Sequence, residues 1–171
     1  MAIDSLWLGV AAVAALLACS AFFSSSEIAV FSLAPEWISE RAASGDQRAA
    51  TLSELREDSH RLLVTVLVGN NIVNIAIASI VTLLLSQVLP PGQTVTVATL
   101  VASAIVLIFG EIVPKSFGLG NAESWALTVA RPLRIIELAL LPVVIVFDLL
   151  TRRIGALLGG ESAIEDQYVE E

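Results

Sequence analysis

The chain has few of the residues on which most soluble enzymes and metalloproteins depend. Its 171 residues include one cysteine and one histidine, so an internal disulfide is impossible, and zinc, copper and iron–sulfur sites lack a ligand set. Charged residues make up 15% of the chain, without the basic and aromatic pattern of a nucleic-acid surface, so no nucleic-acid partner is expected. No serine–histidine–acid set or phosphate-cradling loop is present, and we predict no enzyme.

Charge is absent altogether from a long internal stretch. Residues 62–110 contain no Asp, Glu, Lys, Arg or His. Hydrophobic residues make up 56% of the chain and its mean hydropathy is +0.84, which is too apolar for a soluble domain with a polar shell. The composition therefore predicts an all-α membrane protein whose first partner is the lipid bilayer.

Three apolar stretches are each long enough to cross a hydrocarbon core about 30 Å thick. They are residues 6–31, 62–89 and 94–113. The first is longer than the apolar core of a signal peptide, so we interpret it as a retained span. Pro90, Pro91 and Gly92 are expected to make the turn between the second and third spans, because consecutive prolines do not continue a helix.

The basic residues predict the orientation of these spans. Arg41, Arg48, Arg56 and Arg61 lie between the first two spans, and Lys115, Arg131, Arg134, Arg152 and Arg153 lie after the third. Positive residues are retained on the cytoplasmic side of a membrane. We therefore predict an inner (plasma) membrane protein with its N-terminus outside and its C-terminus in the cytoplasm.

Two polar parts of the chain are expected to be helical and cytoplasmic. Residues 35–59 are predicted to form a helical hairpin, because Pro35 suits the first turn of a helix and Ser44-Gly45-Asp46 suits a turn. Residues 121–158 are predicted to be juxtamembrane helices at the membrane interface. An acidic tail follows at 161–171.

The apolar stretch 133–150 is the ambiguous part of the juxtamembrane region. It contains Glu137, Pro142 and Asp148, and crossing the membrane would place the two arginines after it on the outer side. We therefore predict a broken pair of helices at the cytoplasmic interface or re-entering it. An ordinary fourth span is the alternative, since the positive-inside rule is statistical.

Each predicted span carries a patch of oxygen-bearing residues. These are Ser20, Ser24, Ser26 and Glu27 in the first span, Asn70, Asn71 and Asn74 in the second, and Gly110 and Glu111 in the third. An acidic side chain in a span is costly unless it is paired, so Glu111 is predicted to bind a cation. Pro114 has no N–H for the Gly110 carbonyl, so it is expected to break the helix and free that oxygen.

Oxygen ligands select hard cations. Hydroxyl, amide, carbonyl and carboxylate oxygens suit Mg²⁺ or Ca²⁺, and Na⁺ remains open. Helix packing is the alternative for the serines and for a single asparagine, because both residue types hold membrane helices together. Glu27 has the further alternative of pairing with a base at the cytoplasmic end of its span.

Three segments of the chain resemble the transmembrane domain of the CorC/cyclin-M family of magnesium transporters. They are Phe-Phe-Ser-Ser-Ser-Glu at 22–27, Gly-Asn-Asn-Ile-Val-Asn at 69–74 and Gly-Glu-Ile-Val-Pro-Lys at 110–115. The resemblance covers about residues 6–153. It implies a homodimeric Mg²⁺ efflux or Na⁺-coupled exchange protein, built from three spans and a juxtamembrane belt of helices.

The resemblance also implies which residues bind the ion. It carries the family's metal site onto Ser20, Ser24, Asn70, Gly110 and Glu111, with Ser26, Glu27, Asn71 and Asn74 as second choices along the ion pathway. It makes residues 1–160 a transmembrane transport domain, and the tail is expected to lead to a cytoplasmic CBS-type regulatory domain. The competing hypothesis is a non-transporting membrane scaffold or metal-sensing module.

Overall fold

The regular elements in the described part of the chain are helices. The structure is a computed structural model that describes residues 2–157, with the side chains of residues 6–147 and 153. Its elements are α1 (Ala2–Phe31), α2 (Pro35–Ala43), α3 (Gln47–Glu57), α4 (Ser59–Leu85), α5 (Pro91–Ile105), a π-helical segment (Val106–Ile112), α6 (Val113–Gly120) and α7 (Ala122–Leu157). The prediction of an all-α fold is confirmed. The predicted acidic tail lies outside the described residues.

Three helical stretches in the described part of the chain are long and apolar enough to cross a membrane. They are Leu6–Phe31, Ser59–Leu85 and Pro91–Gly120. The first agrees with the predicted span. The third runs without interruption from α5 through the π-helical segment to the end of α6, so it is longer than the predicted 94–113.

The loop between α4 and α5 differs from the predicted turn. α4 ends at Leu85 rather than 89, and Pro91 and Gly92 are the first residues of α5 instead of turn residues. Proline suits the first helical position, because its fixed φ is already helical and its missing N–H is not needed there. The two prolines therefore start the third span.

α2 and α3 form the predicted hairpin, with the predicted residues at its turn. Gly45 adopts a φ of 92°, a left-handed conformation that favours glycine. Asp46 accepts a hydrogen bond of 2.9 Å from the backbone N–H of Arg48, and so begins α3 as its N-terminal cap. Hydrogen bonds from the side chain and the backbone of Arg48 hold the pKa of Asp46 below its ordinary value.

An arginine of the hairpin joins it to the end of α1. Nη1 of Arg56 donates a hydrogen bond of 2.7 Å to the carbonyl of Val30, and its guanidinium lies 5.3 Å from the ring centre of Phe31. A cation there is favourable because the last carbonyls of a helix carry partial negative charge. Burial lowers the pKa of Arg56. The first span and the hairpin are therefore one packed unit.

Buried apolar side chains form two clusters separated along the long helices. The larger joins the hairpin to α7 and to the adjoining ends of α1 and α4, and it includes Phe23 and Val66. The smaller lies between α4 and α5 around Ile77, with Leu17 of α1 packed against it. Polar residues of the spans fall in the interval between the two clusters, as Ser20 does on α1.

α7 is one helix of 36 residues with Pro132 and Pro142 inside it. The prediction of a broken pair of helices over residues 133–150 is therefore wrong. A proline removes one backbone hydrogen bond and bends a helix, but the helix can resume when its neighbours pack against both halves. α7 packs on α1, α3 and α4 through a face that includes Ala130 and Leu133, both fully buried.

A buried carboxylate ties α7 to the start of α4. Glu137 is 2% exposed. Its Oε1 accepts a bond of 2.6 Å from Nε of Arg61, and its Oε2 accepts one of 2.7 Å from Nη1 of Arg134. Two arginines thus share one carboxylate. The charge of Glu137 is neutralised within the protein and needs no contact with water.

Gly118 brings α6 against the backbone of α1. A Cβ at this position would lie 2.3 Å from the carbonyl oxygen of Ser25 and 2.7 Å from Cγ2 of Ile28. We expect Gly118→Ala to lower the free energy of unfolding by about 1 to 3 kcal/mol, the usual cost of overpacking, because a backbone atom cannot turn aside as a side chain can. Denaturant unfolding of the purified protein in detergent measures this change.

Gly120 supplies the matched control, since it lies in the same helix and a Cβ there would meet no atom within 4 Å. Gly120→Ala should leave the stability nearly unchanged. Equal effects of the two substitutions would contradict the packing argument.

Candidate functional site

Three side-chain oxygens of two spans meet between the apolar clusters. Oγ of Ser20 lies 3.0 Å from Oδ1 of Asn70 and 2.8 Å from Oδ1 of Asn74. Ser20 is fully buried. Asn70 and Asn74 are one helical turn apart, so α4 presents both amides to the same residue of α1.

These contacts leave negative partial charge unbalanced. The Ser20 hydroxyl carries one proton and can donate to only one of the two amide oxygens. The other oxygen is then close to Oγ without a proton between them, in a partly buried place where an unmet polar group is costly. A cation among the three oxygens would balance all of them at once.

The third span adds a carboxylate to this group. Nδ2 of Asn74 lies 3.5 Å from Oε1 of Glu111, which is a long contact at the limit of a hydrogen bond. Asn74 therefore faces Ser20 with its oxygen and Glu111 with its nitrogen. Asn74 was predicted only as a second choice, but in the structure it is the residue that connects the other two.

Glu111 is carried by the π-helical segment. The N–H of Val113 donates to the carbonyl of Ile108, five residues earlier, which is the bond of a π turn. Such turns are rare and are found mostly at functional sites. The predicted helix break thus takes another form: the departure from α geometry precedes Pro114, and Pro114 itself is buried in the first turn of α6.

Gly110 allows the π-helical segment to approach α1. A Cβ at Gly110 would lie 2.7 Å from Oγ of Ser20. Any larger residue would push the two apart. Gly110 was predicted as a site residue because of its carbonyl oxygen. It therefore also has a steric role, which the sequence motif did not indicate.

The remaining predicted residues lie near this group in different settings. Oγ of Ser24 and Oγ of Ser26 are fully buried and find no hydrogen-bond partner among the described residues. Asn71 is exposed, and its Nδ2 donates to the carbonyl of Leu67 in its own helix. The structure therefore brings Ser20, Asn70, Asn74, Gly110 and Glu111 together and leaves Asn71 outside.

Glu27 forms an ion pair with a base, which was its alternative interpretation. Its Oε2 lies 3.4 Å from Nζ of Lys115, and the two side chains are 25% and 43% exposed. The neighbouring Ser25 accepts a hydrogen bond of 3.0 Å from the indole N–H of Trp125 in α7. Trp125 was not predicted from the sequence. Its indole N–H could have indicated this contact, because a tryptophan N–H usually needs a hydrogen-bond partner in an apolar setting.

The chemistry that the site could support follows from its oxygen atoms. Within the part of the chain that the structure describes, no three His, Cys, Asp or Glu side chains lie close enough to hold a metal ion together. A cation here would meet hydroxyl and amide oxygens and one carboxylate. That set is suited to hard cations and unsuited to zinc, copper or iron.

The chain is similar to proteins of a plant and of bacteria. A chloroplastic DUF21 domain-containing protein of Arabidopsis thaliana is 34% identical over 158 residues, which are 92% of this chain and 24% of that protein. A UPF0053 inner membrane protein of Escherichia coli is 30% identical over 140 residues, which are 82% of this chain and 32% of that protein. A UPF0053 protein of Synechocystis is 30% identical over 142 residues, 83% of this chain and 41% of that protein.

The chain thus spans less than half the length of each of these relatives. The family model for the cyclin M transmembrane N-terminal domain matches residues 11–171. This agrees with the resemblance predicted from the three sequence segments and with three helices able to cross a membrane. The chain is a multi-pass membrane protein, and it belongs to the cyclin M transmembrane domain family.

Proposed function

We propose that the chain binds Mg²⁺ between its three spans and carries it across the membrane. One observation supports this most: Ser20 of α1 lies within hydrogen-bonding distance of Asn70 and Asn74 of α4, and against Gly110 of the third span. Glu111 supplies the negative charge. Three helices thus direct their oxygen-rich patches at a single point.

The ligand set favours Mg²⁺ as the transported ion. Mg²⁺ binds through one or two carboxylates and keeps several of its waters. One carboxylate with neutral oxygens binds such an ion without holding it too tightly to release. Efflux coupled to Na⁺ entry is the direction that the family resemblance implies, and Na⁺ also accepts oxygen ligands.

A non-transporting scaffold or metal-sensing module is the other hypothesis. In a scaffold, polar patches would pair two helices at a time to satisfy one another. Here Ser24 and Ser26 are buried without a hydrogen-bond partner among the described residues. Buried hydroxyls beside a convergent oxygen group favour an ion pathway over helix adhesion.

The proposed orientation places the hairpin and α7 in the cytoplasm, because the arginines lie there and the third span ends at Lys115 and beyond. The Escherichia coli relative is named an inner membrane protein, and we assign the same location here. The active form is proposed to be a homodimer in the bilayer, joined in a longer chain to a CBS-type domain. Side-specific labelling of a cysteine at the hairpin turn checks the orientation.

The two amides of the site provide the test of ion binding. We expect Asn70→Ala and Asn74→Ala each to weaken Mg²⁺ binding by about 1 to 3 kcal/mol, because each removes a partly buried ligand oxygen. Asn71→Ala is the matched control: it removes the same group one residue away, where the amide bonds to its own helix. Calorimetric titration of Mg²⁺ into the purified variants measures the affinities.

Equal losses at positions 70, 71 and 74 would contradict the proposed site. Mg²⁺ flux into vesicles that contain a trapped Mg²⁺ indicator separates transport from sensing. Binding with the expected pattern but without any flux would favour the metal-sensing module.

A further inference from the structure

The ion pair between Glu27 and Lys115 lies next to the oxygen group, on its hairpin side. α1 and the third span run in the same direction, since Ser20 meets Gly110 and Ile28 meets Gly118 further along both helices. Lys115 follows Glu111 by four residues, about 6 Å along a helix. Anything that reaches the oxygen group from the hairpin side along this seam passes the pair.

A buried hydroxyl connects the pair to the oxygen group. Ser24 lies one turn from Ser20 and nearly one turn from Glu27 on the same face of α1. It is fully buried, and its Oγ finds no hydrogen-bond partner among the described residues. Such an oxygen has unmet bonding capacity, which an arriving cation can use.

We propose that the Glu27 carboxylate is an entry station for the transported cation and that the Lys115 ammonium is a tethered cation that blocks it. Ions then enter by displacing Lys115 from Glu27, and they pass Ser24 on the way to Ser20. This inference rests on the proposed function and adds a second binding station to it.

The charges and exposure of the pair suit this exchange. Lys115 is the only lysine in the sequence, and an ammonium on a flexible stem swings away more readily than a bidentate guanidinium. At 3.4 Å and with both side chains partly exposed, the pair is weak. A divalent cation interacts with the carboxylate more strongly than the ammonium does, and it can therefore compete for it.

A double-mutant cycle on the rate of Mg²⁺ binding tests the proposal. Rapid mixing of the purified chain with Mg²⁺ and a fluorescent Mg²⁺ indicator gives the association rate. Lys115→Gln should raise this rate severalfold because it frees the carboxylate, and Glu27→Gln should lower it severalfold. When Glu27→Gln is already present, adding Lys115→Gln should change the rate less than about twofold, since the blocked group is gone.

Controls separate the blocking role from long-range charge and from misfolding. Lys115→Arg should not raise the rate, because a guanidinium also blocks the carboxylate, and Arg48→Gln, at the exposed hairpin turn, should leave it unchanged. The proposal would be overturned if Lys115→Gln raised the association rate equally in the presence and absence of Glu27. It would also be overturned if Lys115→Gln did not raise the rate at all. Variants are compared only where their melting temperatures match that of the wild type. If the single variants unfold, the double variant Glu27→Lys with Lys115→Glu is used, because it restores the ion pair with the charges exchanged.

Failure of this inference is distinguishable from failure of the proposed function. If the wild-type chain does not bind Mg²⁺, or binds it independently of Asn70 and Asn74, the function itself is wrong. If binding depends on those amides but the Glu27 and Lys115 effects are additive, only the entry station is refuted.

Discussion

Glu111→Ala is expected to abolish Mg²⁺ binding while leaving a folded protein. The substitution removes the one carboxylate of the oxygen group, and the neutral oxygens that remain cannot offset the cost of dehydrating a divalent cation. A loss of at least about a hundredfold in affinity, or about 2.8 kcal/mol, is expected. Calorimetric titration with Mg²⁺, paired with a melting curve for each preparation, measures both quantities.

Two further variants define what Glu111 contributes. Glu111→Gln keeps the size of the side chain and its contact with Asn74 but removes the charge, so it should lose nearly as much affinity as the alanine variant. Glu54→Gln removes a carboxylate from an exposed position on the hairpin and should change nothing. Unchanged Mg²⁺ affinity in Glu111→Ala would rule out this residue as the charged ligand.

Glu137→Ala should be the most destabilising single substitution proposed for this chain. It leaves Arg61 and Arg134 without the carboxylate that they share at the junction of α4 and α7. Removing one partner of a buried ion pair typically costs about 3 to 5 kcal/mol, and the partial exposure of both arginines places the expected loss near the lower figure. Denaturant unfolding in detergent measures the change in free energy.

Glu123 offers the matched control, because it is an exposed carboxylate in the first turn of the same helix. Glu123→Ala should alter the free energy of unfolding by less than about 1 kcal/mol. A small effect of Glu137→Ala would mean that the arginines are as stable in water as in the pair. Mg²⁺ affinity of any folded Glu137 variant should remain near that of the wild type, since Glu137 lies outside the oxygen group.

Much of the fold could be read from the sequence, because the features concerned are local. Long uncharged runs predict membrane helices whatever their neighbours are, and Ser44-Gly45-Asp46 predicts a turn from its own residues. The three oxygen-rich patches stood out for the same reason: polar groups are rare in such runs. Their order along the chain was enough to indicate the family.

The sequence was a poorer guide where neighbouring helices decide the outcome. Pro142 was predicted to divide residues 133–150, yet α7 continues through it as one helix, and α1, α3 and α4 pack against α7. The π turn beside Glu111 was predicted as a break, since a motif that ends in Pro114 does not reveal how the preceding backbone accommodates it.

The sequence by itself determined that this is a three-span membrane protein with oxygen-bearing residues in each span, because hydropathy and side-chain chemistry belong to single residues. Only the tertiary structure decided which of those oxygens meet. Asn71 and Asn74 are equivalent in composition, but the 100° rotation per residue of α4 turns one outward and the other toward Ser20. The pairing of Glu137 with Arg61 likewise joins residues far apart in the chain, and packing alone brings them together.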